Sequence, residues 1–133
     1  MRHNKVKPRP KIGFCAAFEQ GFDLLTFAVM QQAEIDFVAT CITDDSKYPS
    51  KIIDLCNEYE INTIDKISGN EDFFVSYLSD HNIDIVVLLW WPSLIKGDSI
   101  SSTNVGWINL HPTLLPYGRG KHGFFWSIVE RSF

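Results

Sequence analysis

No run of apolar residues in the 133-residue chain approaches the ~18–20 needed to span a bilayer. Residues 1–11 carry charges but no apolar stretch behind them, so they do not read as a secretory signal. Cysteine is scarce: Cys15, Cys41 and Cys56 are odd in number and widely spaced, with no CxxC. That argues against a disulfide framework and a structural zinc site. It argues for reduced thiols, two of them in buried strands, in a cytoplasmic protein. The first apolar run is followed by no GxGxxG, only Gly13 and Gly21, so the pyrophosphate cradle of a dinucleotide-binding module is missing. Repeats are absent as well.

Charge is unevenly spread along the chain. Arg2, Lys5, Lys7, Arg9 and Lys11 put five of the twelve basic residues in the first eleven positions, without a carboxylate among them. Pro8 and Pro10 keep that stretch from being helical. An arm touching RNA or a membrane and a plain solvated tail both fit, and the tail is the favoured reading. The net charge of -4 leaves the remainder clearly acidic, which disfavours general nucleic-acid binding. The hydrophobic fraction of 45% and charged fraction of 21% are those of a globular domain with one buried core. The expected organisation is a basic, proline-containing tail over 1–10 and one domain over 11–133.

Residues 11–17 (KIGFCAA) have the length of a buried strand. Gly21 reads as a break, after which Phe22, Leu25 and Val29 recur at helical spacing up to Gln32. Residues 37–43 form a second, β-branched strand ending in the polar turn Asp44-Asp45. Pro49 suits the first turn of a helix with Ile52, Ile53, Leu55 and Cys56 on one side. Asn62-Thr63-Ile64 is a short, weak strand. Asn70 could cap a helix carrying Phe73, Phe74, Tyr77 and Leu78 that ends at Asp80-His81-Asn82. Residues 83–91 (IDIVVLLWW) read as a central strand buried on both faces. Residues 105–110 (VGWINL) form another apolar run, and 124–129 return to a helical pattern. Strands alternating with helices predict an α/β fold, a Rossmann-like and mostly parallel sheet with flanking helices. In such sheets a ligand sits beyond the carboxyl ends of the strands. Residues 16–21, 90–95 and 109–120 should meet there.

The last of these carries the chemistry. Asn109 and His111, two apart on an extended segment, should point to the same side. An amide there can donate to a developing oxyanion, and an imidazole can donate or shuttle a proton. Pro112 and Pro116 stiffen the backbone after His111, and Gly118 and Gly120 permit a tight turn.

Asn109-Leu110-His111-Pro112-Thr113-Leu114-Leu115-Pro116, followed by Arg119-Gly120, resembles the active-site signature of the formyltransferase family. That family includes glycinamide ribonucleotide, methionyl-tRNA and sugar-nucleotide formyltransferases. The resemblance implies 10-formyltetrahydrofolate as formyl donor, an amine acceptor and no metal. It implies Asn109 and His111 as catalytic residues, with Thr113 supporting them where many relatives have Ser. The upstream Leu88-Leu89-Trp90-Trp91-Pro92-Ser93-Leu94-Ile95 resembles the family's pterin loop, which makes Trp90, Ser93, Leu94 and Ile95 candidate folate contacts.

The family's catalytic Asp comes a few dozen residues after the His, beyond Phe133. The expectation is therefore an amino-terminal portion, truncated after the active-site strand and the next helix. Such a chain could be an inactive remnant, with the strand at 105–110 an exposed edge that pairs with another copy in a homo-oligomer. Ala16-Ala17-Phe18-Glu19-Gln20-Gly21 stands where relatives acting on glycinamide ribonucleotide have a glycine-rich phosphate loop, so that acceptor is not expected. Arg119 and Lys121 are candidate contacts for an anionic acceptor, and His122 and Trp126 are weaker candidates. A nucleotide-linked amino sugar is the favoured acceptor, with methionyl-tRNA the alternative.

Overall fold

The computed structural model describes residues 8–41, 43–67, 71–117, 119, 120, 122, 125, 128 and 129. The sequence-based expectations for Asn70, Gly118, Lys121, Phe124 and Trp126 lie outside the described residues.

Among the described residues the elements run in the order β1 (Ile12–Ala16), α1 (Phe18–Met30), β2 (Phe37–Cys41), α2 (Tyr48–Glu58), β3 (Asn62–Ile67), α3 (Glu71–Asp80), β4 (Ile85–Leu89), α4 (Gly97–Ser101) and β5 (Gly106–Leu110). The strands make one sheet in the order β3-β2-β1-β4-β5, and every neighbouring pair is parallel. The chain builds outward from β1 to β3, then returns to β1's other side with β4. The strand order therefore reverses between β1 and β4.

The period of two along each strand divides the core between the faces. Cys15, Phe37, Ala39, Val86 and Leu88 pack with Phe74 and Leu78 of α3. Ala16, Val38 and Leu89 pack with Leu25 of α1 and with Ile52 and Cys56 of α2. Phe37 is fully buried and meets Phe74 and Tyr77 edge-on, with ring centroids 6.0 and 5.4 Å away. Its ring lies over Gly13, where an added Cβ would stand 2.0 Å from a ring carbon. All three cysteines are buried and free. Burial raises the Cys56 thiol to about 11 and holds Cys15 higher still, so both stay protonated at neutral pH.

Several expectations are corrected. Gly21 does not break the chain. It lies buried inside α1, where a Cβ would come within 2.7 Å of the Leu89 carbonyl oxygen and 3.3 Å of the Ala16 carbonyl carbon. Its lack of a side chain admits a close helix–sheet approach. The strand expected over 83–91 is the shorter β4, with Ile85 and Val87 only half-buried. Beyond it Trp90 turns into the left-handed region at φ 60°, which ends the ladder. Thr43, expected to end β2, lies in a turn instead, and β3 runs on past Ile64. The short helix α4 has no counterpart in the sequence reading, since GDSIS lacks an apolar period. Among the described residues β5 pairs only with β4, and Ile108 and Leu110 are exposed. No helix among the described residues is long and apolar enough to cross a membrane.

At the amino ends of the strands, Asp84 ties β1 to β4. It accepts the Lys11 backbone N–H at 2.8 Å and the Asn104 side-chain amide at 2.9 Å. The Lys11 N–H, then the Asn104 amide, and last the Lys11 charge hold its carboxyl below the ordinary 3.8, against a smaller opposing cost of desolvation.

Both the Gly21 approach and the Asp84 tie are testable. In an ordinary helix Gly→Ala stabilises by about 1 kcal/mol. Gly21→Ala should instead destabilise by about 1–3 kcal/mol in urea unfolding, because the added carbon meets backbone. A stabilised variant would refute the close approach. For Asp84, a lowered folded value means stabilisation present above the unfolded value and lost as pH falls through the folded one. The stability gap between wild type and Asp84→Asn in thermal melts should be full at neutral pH and close in strong acid. A gap unchanged by acid would contradict the assignment.

Candidate functional site

The strand order reverses between β1 and β4, and in open parallel sheets a ligand usually sits beyond the carboxyl ends of the strands at such a point. The N–H of Ala17 donates to the carbonyl of Leu89 at 3.2 Å, joining the exits of the two strands. The loop 90–96 leaves from there. Ser93 Oγ lies 3.8 Å from Cys41 Sγ, and Cys41 Sγ lies 3.1 Å from Thr43 Oγ1. Since β1 stands between β2 and β4, this contact carries the loop across the end of β1. Trp91 and Ile95 turn inward against the α3-side core. The Trp91 indole N–H is buried and meets no acceptor among the described residues. Leu94 points the other way and is 96% exposed. The folate candidates thus divide: Ile95 is anchored in the core, Ser93 is tied to β2, Leu94 is open, and Trp90 sits half-buried at the turn.

β5 delivers the second half. Asn109 stands opposite Leu88 and Leu110 opposite Leu89, so His111 emerges level with the exit of β4. Asn109 is exposed and His111 half-buried. Thr113 Oγ1 lies 2.9 Å from His111 Nδ1 and donates to the carbonyl of Tyr117 at 3.0 Å. The Thr113 backbone N–H also points at Nδ1, at 3.3 Å. A hydroxyl has one proton to give. With that proton on the Tyr117 carbonyl, Oγ1 accepts from a protonated Nδ1. With Nδ1 bare, the Thr113 N–H donates to it and the hydroxyl can turn to do the same. Thr113 therefore serves His111 in either protonation state, and the Tyr117 carbonyl that makes this work has no side-chain signal in the sequence. The turn carrying it is closed by the Tyr117 N–H donating to the Leu114 carbonyl at 3.0 Å, and the Leu115–Pro116 bond within it is cis. Arg119 and His122 are exposed, and no group of three or more His, Cys, Asp or Glu converges as a metal site among the described residues.

Asp44 is a residue that sequence reasoning passed over as part of a polar turn. It is buried and accepts the N–H of Phe18, the first residue of α1, at 2.7 Å. Phe18 is left-handed at φ 58°, a conformation costing on the order of 1–3 kcal/mol. Ala17 before it has no side-chain cap, so this carboxylate meets a donor that the helix leaves open. Asp-x-Ser between a strand and a helix was the available signal.

Comparisons with known proteins agree with the motif. The chain is 31% identical over 63 residues to GDP-perosamine N-formyltransferase of Brucella melitensis, covering 47% of this chain and 24% of the relative. It is 29% identical over 62 residues to methionyl-tRNA formyltransferase of Lachnospira eligens, covering 47% and 20%. The chain spans between a fifth and a quarter of the length of the curated relatives it matches. Among solved structures, phosphoribosylglycinamide formyltransferase of Bacillus halodurans superposes with a TM-score of 0.71 at 20% identity, covering 90% of this chain and 65% of that one. The enzyme of that name from Streptococcus pneumoniae gives 0.73 at 19%, covering 92% and 67%. By sequence and by fold, the chain is formyltransferase-like. No protein-family model matches it. At these identities the structural likeness speaks for the fold alone, which is the Rossmann-like parallel sheet expected.

The arrangement in this formyltransferase-like domain has a spectroscopic consequence. Thr113→Val removes the hydroxyl that meets Nδ1, so ring-nitrogen NMR should show the His111 Nδ1 resonance displaced from its wild-type position, while Thr113→Ser retains the wild-type spectrum. Identical spectra for Val and wild type would refute the pairing.

Proposed function

We propose that this chain supplies the donor-binding and oxyanion-binding half of an N-formyltransferase. The observation that supports this best is the exit of Asn109 and His111 from β5 at the level of β4's end, with His111 held by Thr113. When bound, 10-formyltetrahydrofolate would supply the formyl carbon that the acceptor amine attacks. The loop 90–96 suits a flat, mostly apolar ring edged with polar groups: Leu94 is open, Ser93 is anchored, and backbone lies between them. No metal is needed. The Asn109 amide donates to the oxygen on which charge develops as the amine adds. His111 in its protonated form donates to the same oxygen. Thr113 holds Nδ1 throughout, so that Nε2 stays presented to the reacting groups.

Among acceptors we favour a nucleotide-linked amino sugar. The likeness to GDP-perosamine N-formyltransferase supports this, as does the segment from Tyr117 to Ile128. Methionyl-tRNA is the alternative, on a likeness of similar strength.

The test uses the 133-residue chain with 10-formyltetrahydrofolate and two acceptor sets, amino-sugar nucleotides and methionyl-tRNA. Quenching of tryptophan fluorescence reports donor binding. Donor binding is expected, and whatever turnover the chain shows with amino sugars should fall ~10²–10³-fold in His111→Ala with donor binding kept. Turnover with methionyl-tRNA alone would overturn the sugar assignment. Donor binding without turnover would leave a folate-binding remnant, and absence of both would overturn the proposal.

A further inference from the structure

The open end of a helix at the carboxyl side of a parallel sheet is where a phosphate group ordinarily docks, drawn by free backbone N–H groups and the helix dipole. In this chain that position is already taken. Asp44 is 6% exposed, and its Oδ2 accepts the Phe18 N–H at 2.7 Å. Its Oδ1 accepts the backbone N–H of Ser46 at 3.0 Å and the Ser46 hydroxyl. Ser46 Oγ in turn accepts the N–H of Tyr48, the first residue of α2, at 3.2 Å. One carboxylate thus faces the start of α1 and, through Ser46, the start of α2. Both of its oxygens are engaged, so it is held in place rather than free to swing away. Glu19 adds a second negative charge in the first turn of α1.

We infer that Asp44 is a specificity-determining residue: its carboxylate fills the anion position at the start of α1 and excludes phosphomonoesters from that corner. An incoming phosphate would meet a fixed negative charge within a few ångströms and find the Phe18 donor spent. That corner is therefore left to uncharged parts of a substrate. This rests on the proposed reading only in calling that substrate an acceptor, since the exclusion itself needs no turnover to be observed.

The probe is inorganic phosphate, monitored through the backbone amide resonances of Phe18, Glu19 and Gln20 in the full chain. Wild type should show no saturable shift at these amides. Asp44→Asn keeps a side-chain oxygen for Phe18 but removes the charge, and Asp44→Gly also opens the space. Both should bind phosphate there at least about tenfold more tightly than wild type, in a salt-sensitive manner. Glu19→Gln leaves the Asp44 cap intact and should not restore binding by itself. Saturable phosphate binding at these amides in wild type would overturn the inference, and so would folded Asp44 variants that gain none. Donor quenching and formyl transfer are read separately, so loss of the formyl-transfer proposal would leave this result standing.

Discussion

A backbone hydrogen bond, the Ala17 N–H donating to the Leu89 carbonyl, sets what can happen on the carboxyl side of the sheet. It holds the exits of β1 and β4 at one level, across the point where the strand order reverses. Having Leu89 O this close leaves no room for a Cβ on the facing turn of α1, so Gly21 must be glycine. The same closeness sets α1's first residue beside the turn after β2, where Asp44 reaches it. With the β4 exit pinned, the loop 90–96 leaves across β1 towards Cys41, and β5, in register with β4, brings Asn109 and His111 up beside it.

Much of this was legible in the sequence because strong signals agreed. The apolar runs at 11–17, 37–43 and 105–110 found their strands, and the helical periods around Leu25, Ile52 and Leu78 found their helices. Gly21 misled because a glycine after a strand has two meanings, a turn or a close approach. Sequence spacing cannot separate them, and the contact that decides lies 68 positions away at Leu89. The run IDIVVLLWW was read too long for a related reason. Tryptophan is a strand former by composition, yet Trp90 is where the backbone turns left-handed and releases the loop. For α4 no apolar period existed to be read.

The site divides in the same way. Side chains with distinctive chemistry announced themselves: His111 and Thr113 meet just beyond β5, and Asn109 lies within that strand's last two residues, because the motif is contiguous. Their support did not. The Tyr117 carbonyl that takes the Thr113 proton is backbone, invisible to residue-type reasoning. Asp44 looked like one polar turn residue among several, and only its burial and its 2.7 Å bond to Phe18 set it apart from its neighbour Asp45. The two tryptophans read as a pair but take different roles, Trp91 in the core and Trp90 at the hinge of the loop.

These features point to one way of handling charge. The groups gathered at the end of β5 are an amide, an imidazole and a hydroxyl, none of which carries a fixed charge. They are suited to a reaction whose charge appears on an oxygen midway and then disappears. A fixed cation there would bind resting anions as readily as the transient one, and so would add little to selectivity for the transition state. At the neighbouring corner the Asp44 carboxylate already accepts the N–H of the first residue of α1. The Thr113 hydroxyl, able to donate or to accept, can keep a hydrogen bond to the imidazole whether or not Nδ1 carries a proton. Polarity at this edge of the sheet is thus arranged to respond to charge as it forms rather than to store it in advance.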